Sequence, residues 1–569
     1  MKRSRHAWAL AIVLLSTAAA FLPVLRNGFL NWDDPDVIVN NPELGGPHVL
    51  RWAFTTTLIG HYQPLAWLAW SAIESRFGLD ATAFHASSLV VHLLNVMLVY
   101  AVTCRLTSLA ALEPRQRLIA AVVASMTFGV HPVRVEAVAW ASAFPYELSL
   151  ALLLVAFLAY LSYAVTLRPG WLGASLAAFV ASLLARASGI GFPLVLLLVD
   201  FYPLRRRGGA GRLVLEKLPF LAAAVAAAFA ESRAREMATF EDVSLGARLT
   251  MAATAPFVYL GRTLWPVRLT PLDALPISPA LDWVPLILAA IAFVAISVIA
   301  WTLRRQWPAL GLAWIAYAVL LAPAAGLTPS GLQATADRYM YVPGVIVSIL
   351  LGVAAGRIRG SRRTRVAAAS LALAVMAALD VLTWRQTGWW RDSIALWTRA
   401  ADLDPRNDVA TYNLAAALAA AGRESEAMTR YEETLRLVPD HTLARRALIA
   451  MQAAQAEREG GRLADAGRFV EANAQYLRAL ELDSTRLHAR AARGMVLLQL
   501  GRTAEAAAEL RTAHDAGVDD AAVLNGLAYV LMETGHRAEA VRVLQEGVSK
   551  HPDDVNLARN LARLLGIRN

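Results

Sequence analysis

Two adjacent acids, Asp33 and Asp34, lie just past an apolar run at residues 7–25, in the stretch Gly28-Phe29-Leu30-Asn31-Trp32-Asp33-Asp34-Pro35-Asp36. Carboxylates held beside a membrane can take a proton from a hydroxyl group or hold a cation. The flanking Trp32 and a third acid at Asp36 favour a site of this kind. A solvated turn with an Asx cap explains the same residues without any chemistry, and both interpretations stay open here. Either way, the sequence predicts that the acidic pair stays in water.

Further polar residues lie at the ends of later apolar runs. His131, Arg134 and Glu136 follow the run at 118–130, Arg186 follows 171–185, and Arg338 precedes 340–356. Each alone is typical of a helix cap or an interface anchor. Alternation of the runs across a membrane places them all on the face that carries the acidic pair, which predicts one site there.

The composition excludes several classes of protein. The 569 residues are 57% hydrophobic, with a mean hydropathy of +0.45, which is too apolar for a soluble protein. The formal charge of +10 comes from arginines in short loops between apolar runs, where orientation in a bilayer explains them better than nucleic-acid binding. Cys104 is the only cysteine, so intrachain disulfides and cysteine-rich metal sites are excluded.

The apolar runs predict a polytopic helical membrane domain at residues 1–384. Twelve runs occur, at about 7–25, 84–104, 118–130, 145–166, 171–185, 189–204, 218–231, 248–264, 283–303, 308–325, 340–356 and 364–384. Basic loops are cytoplasmic in such proteins, and they alternate correctly only if one run does not cross. We choose 248–264, because Pro256 interrupts it and arginines bound it. This leaves about eleven spans, a cytoplasmic N-terminus and a first external loop at 26–83.

Two histidines on the second run, His85 and His92, are seven residues apart and therefore share a helix face. No acid or cysteine repeats with them. We expect a packed or hydrogen-bonded pair there, and no metal site.

Residues 385–569 form a second predicted domain with an internal repeat. Gly422, Gly467, Gly501 and Gly535 are spaced by 45, 34 and 34 residues, and an alanine follows each glycine five residues later. Thirty-four residues is the tetratricopeptide period, in which the glycine makes a turn and the alanine lets two helices approach. The sequence therefore predicts an α-solenoid rather than a coiled coil, with an extended helix around 443–460.

Several motifs together resemble the transmembrane and tetratricopeptide-repeat O-mannosyltransferases. They are Asn31-Trp32-Asp33-Asp34, Tyr62-Gln63-Pro64-Leu65, Phe84-His85, His131-Pro132-Val133-Arg134-Val135-Glu136-Ala137-Val138 and Asp337-Arg338-Tyr339-Met340-Tyr341-Val342-Pro343, ahead of the repeats. This chain departs from that family at Gln63, where arginine is usual, and at Arg186-Ala187, where a Lys-Glu pair is usual.

The resemblance implies an all-α protein with a GT-C-like membrane domain and an inverting glycosyltransferase activity. The donor would be a polyprenyl-phosphate sugar, for example a mannosyl one, and the acceptor a polypeptide hydroxyl held by the repeats. Asp33 or Asp34 would be the base, and we choose Asp33. Arg338 or Arg134 would contact the phosphate, while Trp32, His131, Glu136 and Arg186 complete the substrate site. Whether Asp33 and Glu136 hold a divalent cation, Mg²⁺ or Mn²⁺, stays open.

Two other functions compete with this interpretation. A membrane-anchored scaffold would use the repeats alone for protein–protein interaction, but an anchor needs only one span and no acids in the first loop. A transporter is a third option, but paired charges within the predicted spans are sparse, and the sequence shows no apparent internal duplication. The Ala- and Arg-rich composition favours a bacterial inner-membrane protein, with the first loop and the repeats in the periplasm.

Overall fold

The computed structural model describes residues 2–206, 209–234, 243–275, 282–327 and 333–567. Apart from one short two-stranded sheet, its regular elements are helices, which confirms the all-α prediction. The chain divides into two compact units, Met1–Ala417 and Leu418–Asn569. The predicted boundary after residue 384 lies inside the helix Arg362–Trp389.

The first unit contains helices α1 to α17 and the first three turns of α18. They are α1 Lys2–Phe21, α2 Val49–Thr55, α3 Pro64–Phe77, α4 Ala81–Leu109, α5 Pro114–Gly129, α6 Val135–Ala139, α7 Phe144–Thr166, α8 Pro169–Ala185, α9 Phe192–Phe201, α10 Ala210–Leu215, α11 Leu218–Ala234, α12 Leu245–Leu264, α13 Trp283–Thr302, α14 Pro308–Leu321, α15 Gly344–Gly356, α16 Arg362–Trp389, α17 Ser393–Leu403 and α18 Asp408–Ala420. Two antiparallel strands, β1 Asp273–Ala274 and β2 Gln333–Thr335, pair beyond α12.

Six helical segments of the described chain are long and apolar enough to cross a membrane. They are Ser4–Arg26, Ala81–Leu109, Ala141–Thr166, Gly211–Ala234, Trp283–Thr302 and Arg362–Trp389. A seventh is formed by Pro114–Gly129 and Pro132–Ala139 if this pair, bent by 54°, is one span. Only 11% of the most apolar stretch of α13 and of α16 is buried, so both helices present broad apolar faces to the surroundings.

The predicted number of eleven spans exceeds what helix length supports. Four further apolar helices of the first unit, within Pro169–Ala185, Ala187–Phe201, Pro308–Ala324 and Gly344–Gly356, are shorter than a typical span. The helix α12, which covers the run chosen as not crossing, is not among the candidate spans. It contains Pro256 and buries one face, on which Ala255 and Tyr259 lie.

Close packing of α5 against α15 depends on two glycines, Gly352 and Gly356. A Cβ atom at Gly352 would overlap the Ala120 carbonyl oxygen, and one at Gly356 would lie 2.6 Å from the Gln116 carbonyl oxygen. Small residues at this spacing let two helix backbones approach, which is how helices associate where lipid removes the hydrophobic driving force. This contact holds α15, and with it the segment that precedes α15, against the core of the unit.

The second unit is a series of antiparallel helices. They are α19 Glu424–Leu437, α20 Thr442–Asp465, α21 Phe469–Leu482, α22 Leu487–Gln499, α23 Thr503–Asp515, α24 Ala521–Glu533, α25 Arg537–Lys550 and α26 Val555–Leu565. The extended helix predicted around 443–460 is confirmed as α20, with 24 residues.

The repeat glycines and alanines have the predicted roles. The four glycines at the turns have φ angles between +72° and +83°, a region that glycine adopts without strain. The alanines five residues later, Ala427, Ala472, Ala506 and Ala540, are all fully buried. The solenoid prediction is confirmed for this unit.

A valine at Gly352 is expected to destabilise the first unit by about 1–3 kcal/mol, because its side chain must push α15 away from α5. Thermal unfolding of the detergent-purified protein measures this. Gly173, on α8, has open space around it and provides the matched control Gly173→Val. Equal unfolding temperatures for the two variants would contradict the close contact.

Candidate functional site

The Asp34 carboxylate fixes the loop that follows α1. One oxygen, Oδ2, accepts a hydrogen bond from the Leu30 backbone N–H at 2.8 Å. The other, Oδ1, accepts from the Ser142 backbone N–H at 3.0 Å and from the Ser142 hydroxyl. Ser142 lies in the turn before α7, so this one side chain joins the loop to the helical core. The prediction that the pair stays in water is wrong for Asp34, which is fully buried.

Asp33 differs from its neighbour in its exposure and its partners. Its side chain is half-buried, and within the described part of the chain its carboxylate accepts no hydrogen bond. Burial raises the pKa of the Asp33 carboxyl above its ordinary value, against the lowering effect of Arg338 and Arg186. Asp33 therefore keeps its lone pairs available beside two cations, and its raised pKa makes it a better proton acceptor.

An aromatic cluster supports the backbone next to Asp33. The Trp32 ring stacks on Trp140, with centroids 4.7 Å apart, and lies 5.1 Å from the ring of Trp397 on α17. The Trp397 indole N–H donates to the Asn31 side chain at 2.6 Å, and the Asn31 backbone N–H donates to the Ser393 hydroxyl at 2.8 Å. The helix α17, which the sequence assigned to the repeat domain, is thus part of the platform under the site.

Arg338 lies above this platform and is paired with an acid. Its guanidinium is 5.1 Å from the Trp140 ring centroid and 5.0 Å from that of Tyr339. Glu136 accepts from the Arg338 guanidinium and, at 3.2 Å, from the Arg338 backbone N–H. Both side chains of the pair are almost fully buried. The charge of Arg338 is therefore largely balanced by Glu136.

The short sheet places a second ion-pair cluster next to Arg338. Arg262, near the end of α12, donates to Asp337 at 2.7 Å and also pairs with Asp273 of β1. The same guanidinium donates to the Thr335 hydroxyl of β2 at 2.9 Å. These contacts fix the segment that carries Arg338.

Arg186 has a different set of partners from those of Arg338 and Arg262. It donates to the Gln63 side-chain oxygen at 2.9 Å and to the Tyr146 hydroxyl at 2.9 Å, and it lies 3.2 Å from His61 Nε2. Its guanidinium also stacks on the Tyr146 ring at 4.5 Å. All these partners are uncharged acceptors, and among the described residues Arg186 forms no ion pair. Its half-exposed charge is available to an anion.

His61 joins Arg186 to an acid on another helix. The His61 Nδ1 atom is 2.8 Å from Glu231 Oε1, near the end of α11. Glu231 Oε2 also accepts from the Tyr62 backbone N–H at 3.4 Å. The segment His61-Tyr62-Gln63 is thus fixed between α11 and the loop that follows α8.

The predicted site residues fall into two groups. Trp32, Arg338 and Glu136 lie together, and Arg186 and Arg338 act electrostatically on Asp33. His131 and Arg134 instead hold backbone groups.

His131 contacts the Thr263 carbonyl oxygen at 2.9 Å, and its other ring nitrogen accepts from the Val133 N–H. Arg134 donates to the Met340 carbonyl and packs on the Phe128 ring. Arg134 is only 1% exposed, so the structure does not favour it as a phosphate contact.

The two histidines of α4 are hydrogen-bonded to other groups. His92 contacts the Tyr341 hydroxyl at 2.7 Å and the Gly129 carbonyl at 3.0 Å, while His85 is 3.4 Å from the Gly28 carbonyl. Neither belongs to a group of three or more metal-ligating side chains within the described ranges.

Sequence reasoning did not identify four residues that shape this site: Ser142, Tyr146, Glu231 and Arg262. Glu231 and Arg262 do stand as single charges near the ends of apolar runs, a signal that could have marked them. Nothing in the sequence marks Ser142 or Tyr146, because only the fold brings them to the loop.

Comparison with known proteins gives partial matches. The tetratricopeptide repeat family matches residues 497–565. Protein O-mannosyl-transferase TMTC1 of Homo sapiens is 30% identical over 222 residues, which cover 35% of this chain and 24% of that protein. TMTC1 of Mus musculus is 33% identical over 165 residues, covering 27% of this chain and 17% of that protein. The chain thus spans about a quarter or less of the relatives it matches.

A solved structure also matches part of the chain. YrrB, described as a tetratricopeptide-repeat protein with an unusual peptide-binding site, is 20% identical. The match covers 30% of this chain and 81% of YrrB, with a TM-score of 0.19.

Asp34→Asn is expected to remove part of the pH dependence of stability. Burial raises the pKa of Asp34 to about 6, against the lowering effect of its hydrogen bonds. The folded protein therefore binds this proton more tightly than the unfolded chain does. The resulting stabilisation, up to about 3 kcal/mol, is complete below about pH 4 and is lost as the pH rises through about 6. The asparagine variant should lack this slope.

Thermal unfolding between about pH 4 and pH 7.5 measures this dependence. At about pH 5 the variant should also be about 1–3 kcal/mol less stable, because an amide cannot accept all three bonds that Asp34 accepts. The control is Asp36→Asn in the same loop, since Asp36 is exposed. A pH slope that is unchanged in Asp34→Asn would contradict this role of Asp34.

Proposed function

We propose that this protein is a membrane glycosyltransferase that moves a sugar from a polyprenyl phosphate to a hydroxyl group of an acceptor polypeptide. The observation that supports this most is Asp33, a half-buried carboxylate with a raised pKa and no hydrogen-bonding partner in the described chain, beside two arginines. A base next to cations is what transfer from a phosphate-linked donor to a hydroxyl requires. The partial identity to O-mannosyl-transferases supports the same class and makes mannose our proposed sugar.

Asp33 is the proposed general base. A hydroxyl group is a weak nucleophile until a positioned base takes its proton as the new bond forms. Asp34 is an unsuitable base because both its oxygens already accept bonds from Leu30 and Ser142. The acceptor oxygen attacks the anomeric carbon as the phosphate leaves, so one displacement inverts the configuration there.

Arg186 is the proposed contact to the donor phosphate. Arg338 is balanced by Glu136 and Arg262 by two acids, whereas the partners of Arg186 are neutral. An incoming phosphate can replace one of these neutral partners without breaking an ion pair. Arg338 then contributes at longer range, by favouring the ionised form of Asp33.

The described acids do not fit a divalent cation at this site. Glu136 is engaged by Arg338, and the Asp34 carboxylate accepts three hydrogen bonds. This leaves Asp33 and the exposed Asp36, and neither belongs to a group of three or more metal-ligating side chains among the described residues. Divalent Mg²⁺ or Mn²⁺ requires several oxygen ligands. The proposed reaction therefore depends on no such ion.

The repeats are proposed to hold the acceptor polypeptide. Stacked repeats of this kind form an extended concave surface that can bind a segment of chain. Asn413 and Asn525 lie on the first helices of repeat pairs; Asn525 accepts from Asn560 at 3.0 Å, while Asn413 bonds within α18. We propose that this surface raises the local concentration of acceptor chains.

Eleven crossings and a bacterial inner membrane belong to the same proposal. Eleven crossings require that the six long helices, the bent pair and all four shorter apolar helices of the first unit each span the membrane. The basic loop at residues 357–365 is then cytoplasmic, and Asp33 and the repeats face the periplasm.

A membrane-anchored scaffold is the alternative, in which the repeats bind a partner and the first unit has no catalytic role. The repeat match supports this function equally. It gives no reason for a half-buried acid with a raised pKa beside Arg186 and Arg338.

Asp33→Asn is expected to lower the rate of sugar transfer by about a hundred- to ten-thousand-fold, because the amide cannot take the hydroxyl proton. The measurement is transfer from a labelled polyprenyl-phosphate sugar to a periplasmic extract by purified protein. Asp36→Asn, an exposed acid of the same loop, is the control and should stay near the wild-type rate. Full activity of Asp33→Asn at matched expression would refute the base assignment. No transfer by the wild type would favour the scaffold.

Deletion of residues 422–569 should weaken use of protein acceptors more than binding of the donor. The deletion begins after α18, so that α17 and α18 are kept. The helix α17 is needed because its Trp397 and Ser393 support the loop at Asn31. The comparison is the ratio of transfer to a polypeptide against transfer to a small alcohol, with donor binding measured in parallel. An unchanged ratio would show that the repeats do not hold the acceptor.

A further inference from the structure

The pair of His61 and Glu231 has a geometry that fixes which nitrogen of His61 carries its proton. A guanidinium group can only donate hydrogen bonds, so His61 Nε2, 3.2 Å from Arg186, must accept. The hydrogen of the neutral ring is then on Nδ1 and is donated to Glu231 Oε1 at 2.8 Å. The carboxylate thus holds the ring in one tautomer and one orientation, and it favours the doubly protonated ring electrostatically.

A bound phosphate would change the situation at Nε2. Without a phosphate, the Arg186 guanidinium donates to the neutral side chains of Gln63 and Tyr146. A bound phosphate oxygen would accept some of these hydrogen bonds in their place. Because Arg186 Nη2 is 3.2 Å from His61 Nε2, an oxygen bound to Nη2 would lie near His61, which can donate to that oxygen only when Nε2 is protonated. The protonated ring then lies between two negative groups, the phosphate and Glu231.

We propose that His61, held by Glu231, is the general acid of the transfer, which rests on the proposed function of the protein. The bond between the anomeric carbon and a phosphate oxygen breaks, and its electron pair stays on that oxygen. The proton on His61 Nε2 moves to the phosphate group, which leaves as a singly charged monoester, and His61 becomes neutral. The acceptor hydroxyl proton moves to Asp33. Solvent then returns the proton from Asp33 to His61 for the next cycle.

The charged groups around His61 in the described chain are consistent with this role. Glu231 faces it from α11, and Arg186 faces it from the loop after α8. Tyr146 of α7 reaches the same guanidinium. His61 and Glu231 are both largely buried but not sealed, at 15% and 13% side-chain exposure, so protons can reach the pair from water.

The test is the pH profile of sugar transfer between about pH 5 and pH 9 in wild type, His61→Gln and Glu231→Gln. In the wild type the rate should rise with pH as Asp33 ionises and fall again as His61 loses its proton. His61→Gln should keep the rising limb and lose the falling limb. At low pH its rate should be roughly a hundredfold below that of the wild type, the lower end for general acid catalysis, because phosphate is already a good leaving group.

At high pH, where the wild-type ring is neutral, the two rates should converge. Glu231→Gln should move the falling limb to lower pH by about one unit, because the ring loses the charge that favours its protonation. His48→Gln, an exposed histidine of the same loop, is the control and should keep the wild-type profile.

Two results would overturn the proposal. If His61 only positions Arg186, His61→Gln should lower the rate by one factor at every pH and leave both limbs in place. If Glu231→Gln leaves the falling limb unmoved, the pair does not share a proton. Either result leaves the transferase function standing, whereas absence of transfer by the wild type removes both.

Discussion

The buried carboxylate of Asp34 is the contact on which the candidate site depends. Its three hydrogen bonds join the loop after α1 to the turn before α7. A carboxylate with three donors in a protein interior is strongly directional, so it sets the path of the backbone on both sides. Asp34 is thereby fixed in the interior, whereas the neighbouring Asp33 stays half-buried, where the charges of Arg338 and Arg186 lower its pKa against the effect of burial.

The same region shows how charge balance separates arginines that look alike in the sequence. Arg338 and Arg262 are bound by acids and hold backbone segments in place. Arg186 contacts only neutral acceptors among the described residues, so it keeps the charge that an anionic ligand needs. The neutral Gln63 matters here, since the resemblance predicts arginine at that position and a second cation would repel Arg186.

The first unit combines this polar site with broad apolar surfaces. The exposed faces of α13 and α16 would be unfavourable in water and are suited to lipid. Glu231 and Arg262, which fix segments of the site, lie near the ends of apolar helices, where the desolvation of a charge costs least. In the proposed function, this position would let the site receive a lipid-linked donor and a soluble acceptor together.

The sequence by itself determined the helical class, the repeats and the acidic loop, because each depends on local composition or a fixed period. Gly501 and Ala506 show this: the same turn glycine and buried alanine occur 34 residues earlier, at Gly467 and Ala472, and 34 residues later, at Gly535 and Ala540. Tertiary structure decided which acid is buried and which arginine has no ion pair among the described residues. It also decided that His61 contacts Glu231, which is 170 residues away in the chain. Hydrogen bonds and charge balance depend on distances between elements far apart in the chain, and no local pattern records those distances.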